Sequence, residues 1–460
     1  MALKVTTYGG AETVTGSNFL VEGEQGKLLI DCGIEQGRDY NETETRAPFP
    51  YDVPSLDALV ITHAHLDHIG RMPQLMRQGF KGSIYMTPPT RDLAEAILHD
   101  SVRILAGEAK YRGLAPLYDE HDVTSLFARV QTISYRTETE VAPGLSVYLR
   151  DTGHILGSAS VRVKSADGTT FAVTSDLGNS PALLLPDAEP IPDADVVLIE
   201  SVYGDRQNPE KAHRLDKLQE VLTKAVARGG TILMPAFSIE RTQLMLYEIG
   251  MLFAGGKVRE VPVFLDSPLA IAVTDIYRKW GKEYFKEEMK EEIAHGHDIF
   301  SFPFLTTTRS REESEDIEKV HGSKIIIAGA GMSHGGRIGR WEQKYLGDPK
   351  STLIMVGYQA PGTPGRVMQD GGKVVKIDHQ EVEVRAKIEV LHGWSGHADR
   401  DGLLAFAEKC LPRTKTFIVG LGEPSSARFL AQRIHDYLGV KAIVPTEGQA
   451  FTITKNGIVK

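Results

Sequence analysis

The sequence predicts an α/β protein in which a parallel-sheet α/β block interrupts a β-rich domain built around metal. Three observations carry that reading. Apolar strand-like runs end repeatedly in a histidine or a carboxylate, at Asp31, His63, His154, Asp176 and Glu200. From about residue 205 to residue 385 helical and strand patterns alternate, as they do when helices cover a parallel sheet. Beyond that block the chain returns to strands, so the block reads as inserted between two parts of one domain. The expected divisions are 1–204, 205–385 and 386–460.

At 460 residues the chain is long enough for two or three domains, each with a real core. No segment is apolar for long enough to span a membrane. Met1-Ala2-Leu3-Lys4-Val5 runs straight into strand-like sequence rather than through a basic region and an apolar stretch. The expectation is therefore a cytoplasmic protein without a leader or a membrane contact. Cys32 and Cys410 form no CxxC pair and read as small buried hydrophobes of a reducing compartment. The net charge of −9 gives no sign of nucleic-acid binding, so a polyanionic substrate would need metal ions and a local basic groove to meet it.

In chain order, residues 1–30 read as two strands about a turn, with backbone freedom at Gly9-Gly10 and Gly16. Leu28-Leu29-Ile30 stops at Asp31, and Ala58-Leu59-Val60-Ile61-Thr62 is the next buried strand. A short helix over 69–78 is closed by Gly79. After a strand at 83–86, Thr87-Pro88-Pro89-Thr90 starts a long helix to about Ile104, with Leu93, Ile97 and Ile104 facing the core. Strands follow at 130–135 and 145–149, then a hairpin over 160–176 about Asp167-Gly168. The strand 196–199 runs into Glu200. Within the block, helices at 212–228, 240–253, 269–280 and 310–320 alternate with strands at 231–234, 261–265, 325–328 and 353–356. Residues 282–292 read as a charge-dense helix with a solvated surface. Strands at 381–390, 416–419 and 441–444 complete the chain. Five strand ends carrying polar groups suggest that one edge of a sheet has been built into a site.

The densest of these ends is His63-Ala64-His65-Leu66-Asp67-His68, which places four potential ligands within six positions. Ligands this crowded strain to reach one ion together. Neutral imidazoles and a carboxylate suit zinc, with manganese or iron as weaker candidates. A loop merely rich in histidine is the competing reading, and the absence of a wider histidine tract speaks against it. Asp31, at a neighbouring strand end, is placed to orient a metal-binding histidine from behind.

The ordered set Asp31, His63-x-His65-x-Asp67-His68, His154 and Asp176 resembles the metallo-β-lactamase superfamily. The inserted block narrows the resemblance to the β-CASP nucleases. Ile199-Glu200-Ser201-Val202-Tyr203-Gly204-Asp205-Arg206 is similar to the acidic motif that opens the β-CASP region. Pro235-Ala236-Phe237-Ser238-Ile239-Glu240-Arg241-Thr242-Gln243 resembles an internal motif of the family. Asp266-Ser267-Pro268, Gly329-Ala330-Gly331-Met332, Gly335-Gly336-Arg337 and Trp394-Ser395-Gly396-His397-Ala398-Asp399 follow in the family's order. The resemblance covers essentially the whole chain and points to the RNA-processing branch, which includes the endonuclease of the polyadenylation machinery.

This resemblance implies an αββα sandwich with an inserted β-CASP domain and two zinc ions. His63, His65 and His154 would hold one ion, Asp67 and His68 the second, and Asp176 would bridge them. A metal-bound hydroxide would then attack a phosphodiester of single-stranded RNA, within a strand or stepwise from the 5′ end. His397, oriented by Glu200, would donate a proton to the leaving oxygen, and Arg241, Arg337 and Ser395 would contact the phosphate backbone. A homodimer is a further partner expectation.

One departure bears on the chemistry. Where relatives carry a histidine ligand for the second metal, this chain has Leu421 within Val419-Gly420-Leu421-Gly422-Glu423-Pro424. Leucine cannot bind zinc, so the second site should be weaker. A DNA-processing enzyme of the same fold and an RNA-binding scaffold with a weakened centre are the alternative readings.

Overall fold

The computed structural model describes residues 2–36, 45–208, 213–333, 335–357, 359 and 362–459. The chain divides into two compact units, Met1–Gln207 with His397–Lys460, and Asn208–Gly396.

The first unit holds two sheets. One is eight-stranded, in the order Gly457–Val459, Ala450–Thr454, Leu3–Gly9, Asn18–Glu22, Lys27–Ile30, Ala58–Val60, Ser83–Met86, Val130–Thr132. The other is seven-stranded, in the order Lys441–Ile443, Thr416–Gly420, Val196–Glu200, Thr170–Val173, Ala159–Ser165, Leu145–Asp151, Thr139–Ala142. Alternate residues of facing strands fill the space between them. Val5, Phe19, Leu28, Ile30 and Val60 meet Val147, Leu149, Val161, Phe171 and Ile418 there. On the outer face of the second sheet, Val197, Ile199, Phe417 and Val419 pack against Leu403 and Phe406 of one helix, Arg400–Lys409. Leu430 and Ile434 of the helix Pro424–Leu438 complete that layer. The helix Pro88–Arg112 lies against the far strand of the first sheet. The layering is the αββα sandwich that the sequence implied.

Strand direction places the site. Lys27–Ile30 and Ala58–Val60 run parallel, as do Thr170–Val173 and Val196–Glu200. Asp31 and the loop at His63 therefore emerge at one edge of the first sheet, while Asp176 and Glu200 emerge at one edge of the second. Leu145–Asp151, antiparallel to Ala159–Ser165, which is in turn antiparallel to Thr170–Val173, adds His154 to that same second edge. The expectation of a single sheet edge is thus corrected: two facing sheets supply the residues, because the sandwich brings their carboxyl ends together.

The second unit is built on a six-stranded, wholly parallel sheet in the order Leu305–Thr307, Val263–Leu265, Lys324–Ala328, Thr231–Pro235, Thr352–Met355, Lys387–Val390. Its four inner strands are buried along their whole length because both faces are covered, whereas the two edge strands, Leu305–Thr307 and Lys387–Val390, are partly exposed. Ile232, Met234 and Ile325 face the helices Arg214–Arg228 and Arg241–Ala254, whereas Leu233, Ile326 and Leu353 face Ile338 and Trp341 of Gly336–Tyr345.

Four local expectations change. The first 30 residues make three strands rather than two, Leu3–Gly9, Asn18–Glu22 and Lys27–Ile30. Ile104 is 54% exposed, because the buried stripe of the helix Pro88–Arg112 continues through Leu98, Val102 and Ala109 rather than through it. The charged stretch 282–292 is broken: one helix ends at Tyr284 and the next is Glu287–Ala294, with the buried Phe285 between them. The expected division at 385/386 falls before Lys387–Val390, and that strand pairs with Thr352–Met355 in the second unit's sheet. Cys32 and Cys410 are buried and unpaired. No helix among the described residues is long and apolar enough to cross a membrane.

Candidate metal centre and active site

Four donor atoms converge at the edge of the sandwich. His63 Nε2 and His65 Nδ1 are 3.1 Å apart, and His154 Nε2 and His65 Nδ1 are 3.2 Å apart. Asp176 Oδ2 lies 3.4 Å from His63 Nε2 and 3.3 Å from His154 Nε2. Tetrahedral ligands held about 2.0–2.1 Å from zinc sit about 3.3–3.4 Å from one another, so this spacing fits an ion at the centre. Burial, the largest influence on both rings, holds His63 below and His65 well below the usual histidine range. Both are thereby biased to the neutral form that binds metal.

Asp176 turns its other oxygen toward a second group. Its Oδ1 is 3.6 Å from His68 Nε2, and Asp67 Oδ2 is 3.9 Å from that same nitrogen. His68 Nε2 is buried and makes no hydrogen bond. An unpaired buried nitrogen facing two carboxylates fits a cation between them. Behind it, His68 Nδ1 is 2.7 Å from Asp31 Oδ2. Asp31, fully buried, also accepts hydrogen bonds from Thr62 N at 2.9 Å and Ser17 Oγ at 3.0 Å.

These groups are fixed by unusual backbone. Asp31 and Ser175 both adopt left-handed φ, at 59° and 53°, where non-glycine residues are uncommon. Ser175 Oγ donates to Thr62 Oγ1 at 2.8 Å and lies 3.3 Å from His63 Nδ1. A Cβ at Gly33 would stand 1.6 Å from Asp67 O, so only glycine lets the Asp31 strand end lie against the ligand loop. Ser17, Thr62 and Ser175 are hydrogen-bonding supports of these candidate residues that the sequence reading missed. Their hydroxyls carry no distinctive signal beyond lying next to a ligand or near a strand end.

Beside the ligands stands a second cluster of Asp176, Glu200 and His397. Glu200 is the last residue of its strand and fully buried. Its Oε1 accepts from Leu177 N at 2.6 Å, and its Oε2 faces His397 Nδ1 at 3.4 Å. The His397 ring also packs on His154, with centroids 4.7 Å apart. Burial opposes charge on His397, but Glu200 and then Asp176 outweigh it and lift the imidazole to about 9.

Leu421 follows the strand Thr416–Gly420 with φ 47° and is fully buried. Its N–H donates to Gly10 O at 2.7 Å. A Cβ at Gly10 would come within 2.7 Å of Leu421 Cδ2 and 3.1 Å of Phe19 Cζ, so the leucine fills apolar space closed by that glycine.

The structure brings the six ligand candidates, Asp31, Glu200 and His397 together in the first unit. Arg241, Arg337 and Ser395 belong to the second. Arg241 begins the helix Arg241–Ala254, with its guanidinium 4.5 Å from the centre of the Phe237 ring. Arg337 differs from the expected phosphate contact. It pairs with the buried Asp266 at 2.6 Å and donates to the carbonyls of Thr308 and Arg309 at 3.0 and 2.9 Å. Its guanidinium is engaged in holding the second unit together.

Comparison with known proteins follows this geometry. Residues 12–152 match the metallo-beta-lactamase superfamily, 242–368 the Beta-Casp domain, and 381–445 the Zn-dependent metallo-hydrolase RNA specificity domain. A ribonuclease of Thermus thermophilus is 34% identical over 403 residues, covering 87% of this chain and 90% of that protein. The chain belongs to the β-CASP family of metallo-β-lactamase-fold proteins. Transcription termination factor FttA of Thermococcus kodakarensis, 32% identical over 475 residues, is a second relative of this β-CASP chain; the alignment covers 98% of it and 71% of FttA. A protein of unknown function from Enterococcus faecalis V583 shares the fold, with a TM-score of 0.58 at 14% identity and coverage of 98% and 100% of the two chains.

Proposed function

We propose that this β-CASP protein is a metal-dependent ribonuclease that hydrolyses phosphodiester bonds of single-stranded RNA during RNA processing or decay. The observation that carries the reading is the convergent set of donor atoms from His63, His65, His154 and Asp176, all within 4.8 Å of one another, beside the Glu200–His397 pair. The RNA specificity match and the ribonuclease relative favour RNA as the strand. The donor set suits zinc above manganese or iron.

Asp67 and His68 would hold a second ion with Asp176 between the two. Leu421 offers that ion no fourth protein ligand, so it would bind more weakly than the first. Bound ions would supply an activated water and neutralise charge on the phosphate. The chain's own residues would do the rest. Asp31 would keep His68 turned toward the second ion, and Glu200 would hold the His397 ring by Nδ1 with Nε2 left for the leaving oxygen. Arg241 and Ser395 remain candidates for backbone contacts. Cleavage within a strand is the first mode proposed, with 5′–3′ trimming by the same centre as the second.

The test pairs two variants on end-labelled RNA. His65→Ala should lose cleavage and metal together. His397→Ala should keep its metal, measured by mass spectrometry, yet slow by about 10²–10⁴-fold, the range of general acid catalysis. Undiminished cleavage by His65→Ala would contradict the metal mechanism. Metal loss in His397→Ala would make it a ligand rather than an acid.

A further inference from the structure

We propose that Tyr203 is the positioning residue for His397, setting the plane of the imidazole while Glu200 faces its Nδ1. The inference rests on the reading of His397 as the proton donor.

The ion-pair contact of Nδ1 with Glu200 at 3.4 Å fixes where that nitrogen lies but not the plane of the ring, and the plane decides where Nε2 points. Contacts at its faces and edges constrain that plane. His154 packs on one side, with centroids 4.7 Å apart and planes at 44°. Tyr203 closes another, edge to face, with centroids 6.1 Å apart and planes at 71°. Tyr203 is well suited to this task because its own position is over-determined. It lies three residues beyond Glu200, so one segment presents both the carboxylate and the phenol ring to the imidazole. It forms a parallel bridge with Asp399, while His397 bridges Gly178. The Arg206 guanidinium lies 5.6 Å from the centre of its ring and is itself tied to Asp205 at 2.7 Å. The carbonyl of Arg206 accepts from Arg400 N at 3.0 Å. The turn after Tyr203 is pressed on the helix Pro424–Leu438, where a Cβ on Gly204 would stand 2.9 Å from Leu430 Cβ.

The half-buried ring, rather than its hydroxyl, makes this contact. A phenyl group should therefore do the same work and a branched aliphatic side chain should not. The alternative for an aromatic beside such a cleft is a stacking platform for an RNA base, which would appear in KM.

The experiment measures kcat and KM on RNA, metal content, and hydrolysis of bis(p-nitrophenyl) phosphate, whose leaving group departs without a proton. Tyr203→Phe should match the wild type. Tyr203→Leu should lose about tenfold in kcat on RNA, a fraction of what an acid supplies, with KM, metal content and activated-ester hydrolysis unchanged. Arg206→Ala, which removes the outer cap from an exposed position, should show a smaller loss of the same kind and serves if Tyr203→Leu does not fold. A raised KM at constant kcat, an equal loss on the activated ester, a Phe variant as impaired as the Leu variant, or no loss at all would each overturn the proposal. His397→Ala is run alongside: if it keeps full activity on RNA, the reading of the acid fails, whereas loss there with none in the Tyr203 and Arg206 variants fails this inference alone.

Discussion

The two nitrogens of His68 face different surroundings, and the contrast shows what burial demands of a polar residue. Nδ1 is tied to Asp31, whereas Nε2 is buried without a hydrogen bond between two carboxylates. Burial works against a charge on this ring, Asp176 and Asp31 favour it, and a cation binding Nε2 would displace the proton they attract. A buried acid in the other unit supplies a measurable consequence away from metal. Glu342 is fully buried, accepts from Ser333 Oγ at 2.5 Å through one oxygen, and has no hydrogen-bond partner for the other. Burial pushes it up to about 8 from a usual 4.5. The folded chain then holds a proton between those values that the unfolded chain has released. This contribution to stability is therefore full below the unfolded value and is lost as pH rises toward 8, at no more than about 1.4 kcal/mol per pH unit. Glu342→Gln should flatten that slope in urea unfolding at about pH 5 and about pH 8.5. An unchanged difference between the two pH values would mean that Glu342 does not titrate with folding.

At the scale of elements, strand ends carry the chemistry and helices lock the frame. The end of Thr416–Gly420 carries Leu421, where the family resemblance leads one to expect a histidine. Its left-handed φ of 47° is tolerated better by histidine than by leucine. Leu421→His should therefore fold and tighten the second ion by about tenfold or more, the scale on which even supporting hydrogen bonds tune metal affinity. Titration calorimetry with zinc reads this directly, and an unchanged stoichiometry and affinity would remove Leu421 from the metal site. In the second unit the helix Gly336–Tyr345 is anchored by Arg337 and Trp341 on the buried Asp266, at 2.6 and 2.7 Å. Arg337→Ala leaves that carboxylate with two hydroxyls and an indole but no cation. It should cost about 3–5 kcal/mol of stability, as breaking a buried ion pair does. A loss of RNA affinity with stability unchanged would restore the phosphate-contact role.

The candidate ligands that the structure brings together stood out in the sequence because four of them crowd into six positions and the rest stand at apolar strand ends. The task of Arg337 was not, because its partner Asp266 is 71 positions away and an arginine near a glycine-rich turn looks the same whether it faces phosphate or protein. Nor was the exposure of Ile104, since the spacing of Leu93, Ile97 and Ile104 defines a helix face but not that the buried stripe shifts to Leu98, Val102 and Ala109. The Thr62–Ser175 pair spans 113 positions and only becomes a pair when the two sheets meet.

For the whole molecule, net charge and catalysis pull in different directions. A chain of charge −9 repels a polyanion at long range. Productive binding must then depend on local positive charge, with metal ions the largest local charges in the site. Cleavage should be abolished by chelation and should weaken steeply with added salt. The most direct measurement is cleavage of one end-labelled single strand, made as RNA and as DNA of the same sequence, by protein stripped of metal and then reloaded with zinc or manganese. The account predicts cutting of the RNA alone, only after reloading, and not by His65→Ala. Cutting of DNA alone would move the protein to a DNA-processing role, and RNA bound but never cut would make the centre a scaffold rather than an enzyme.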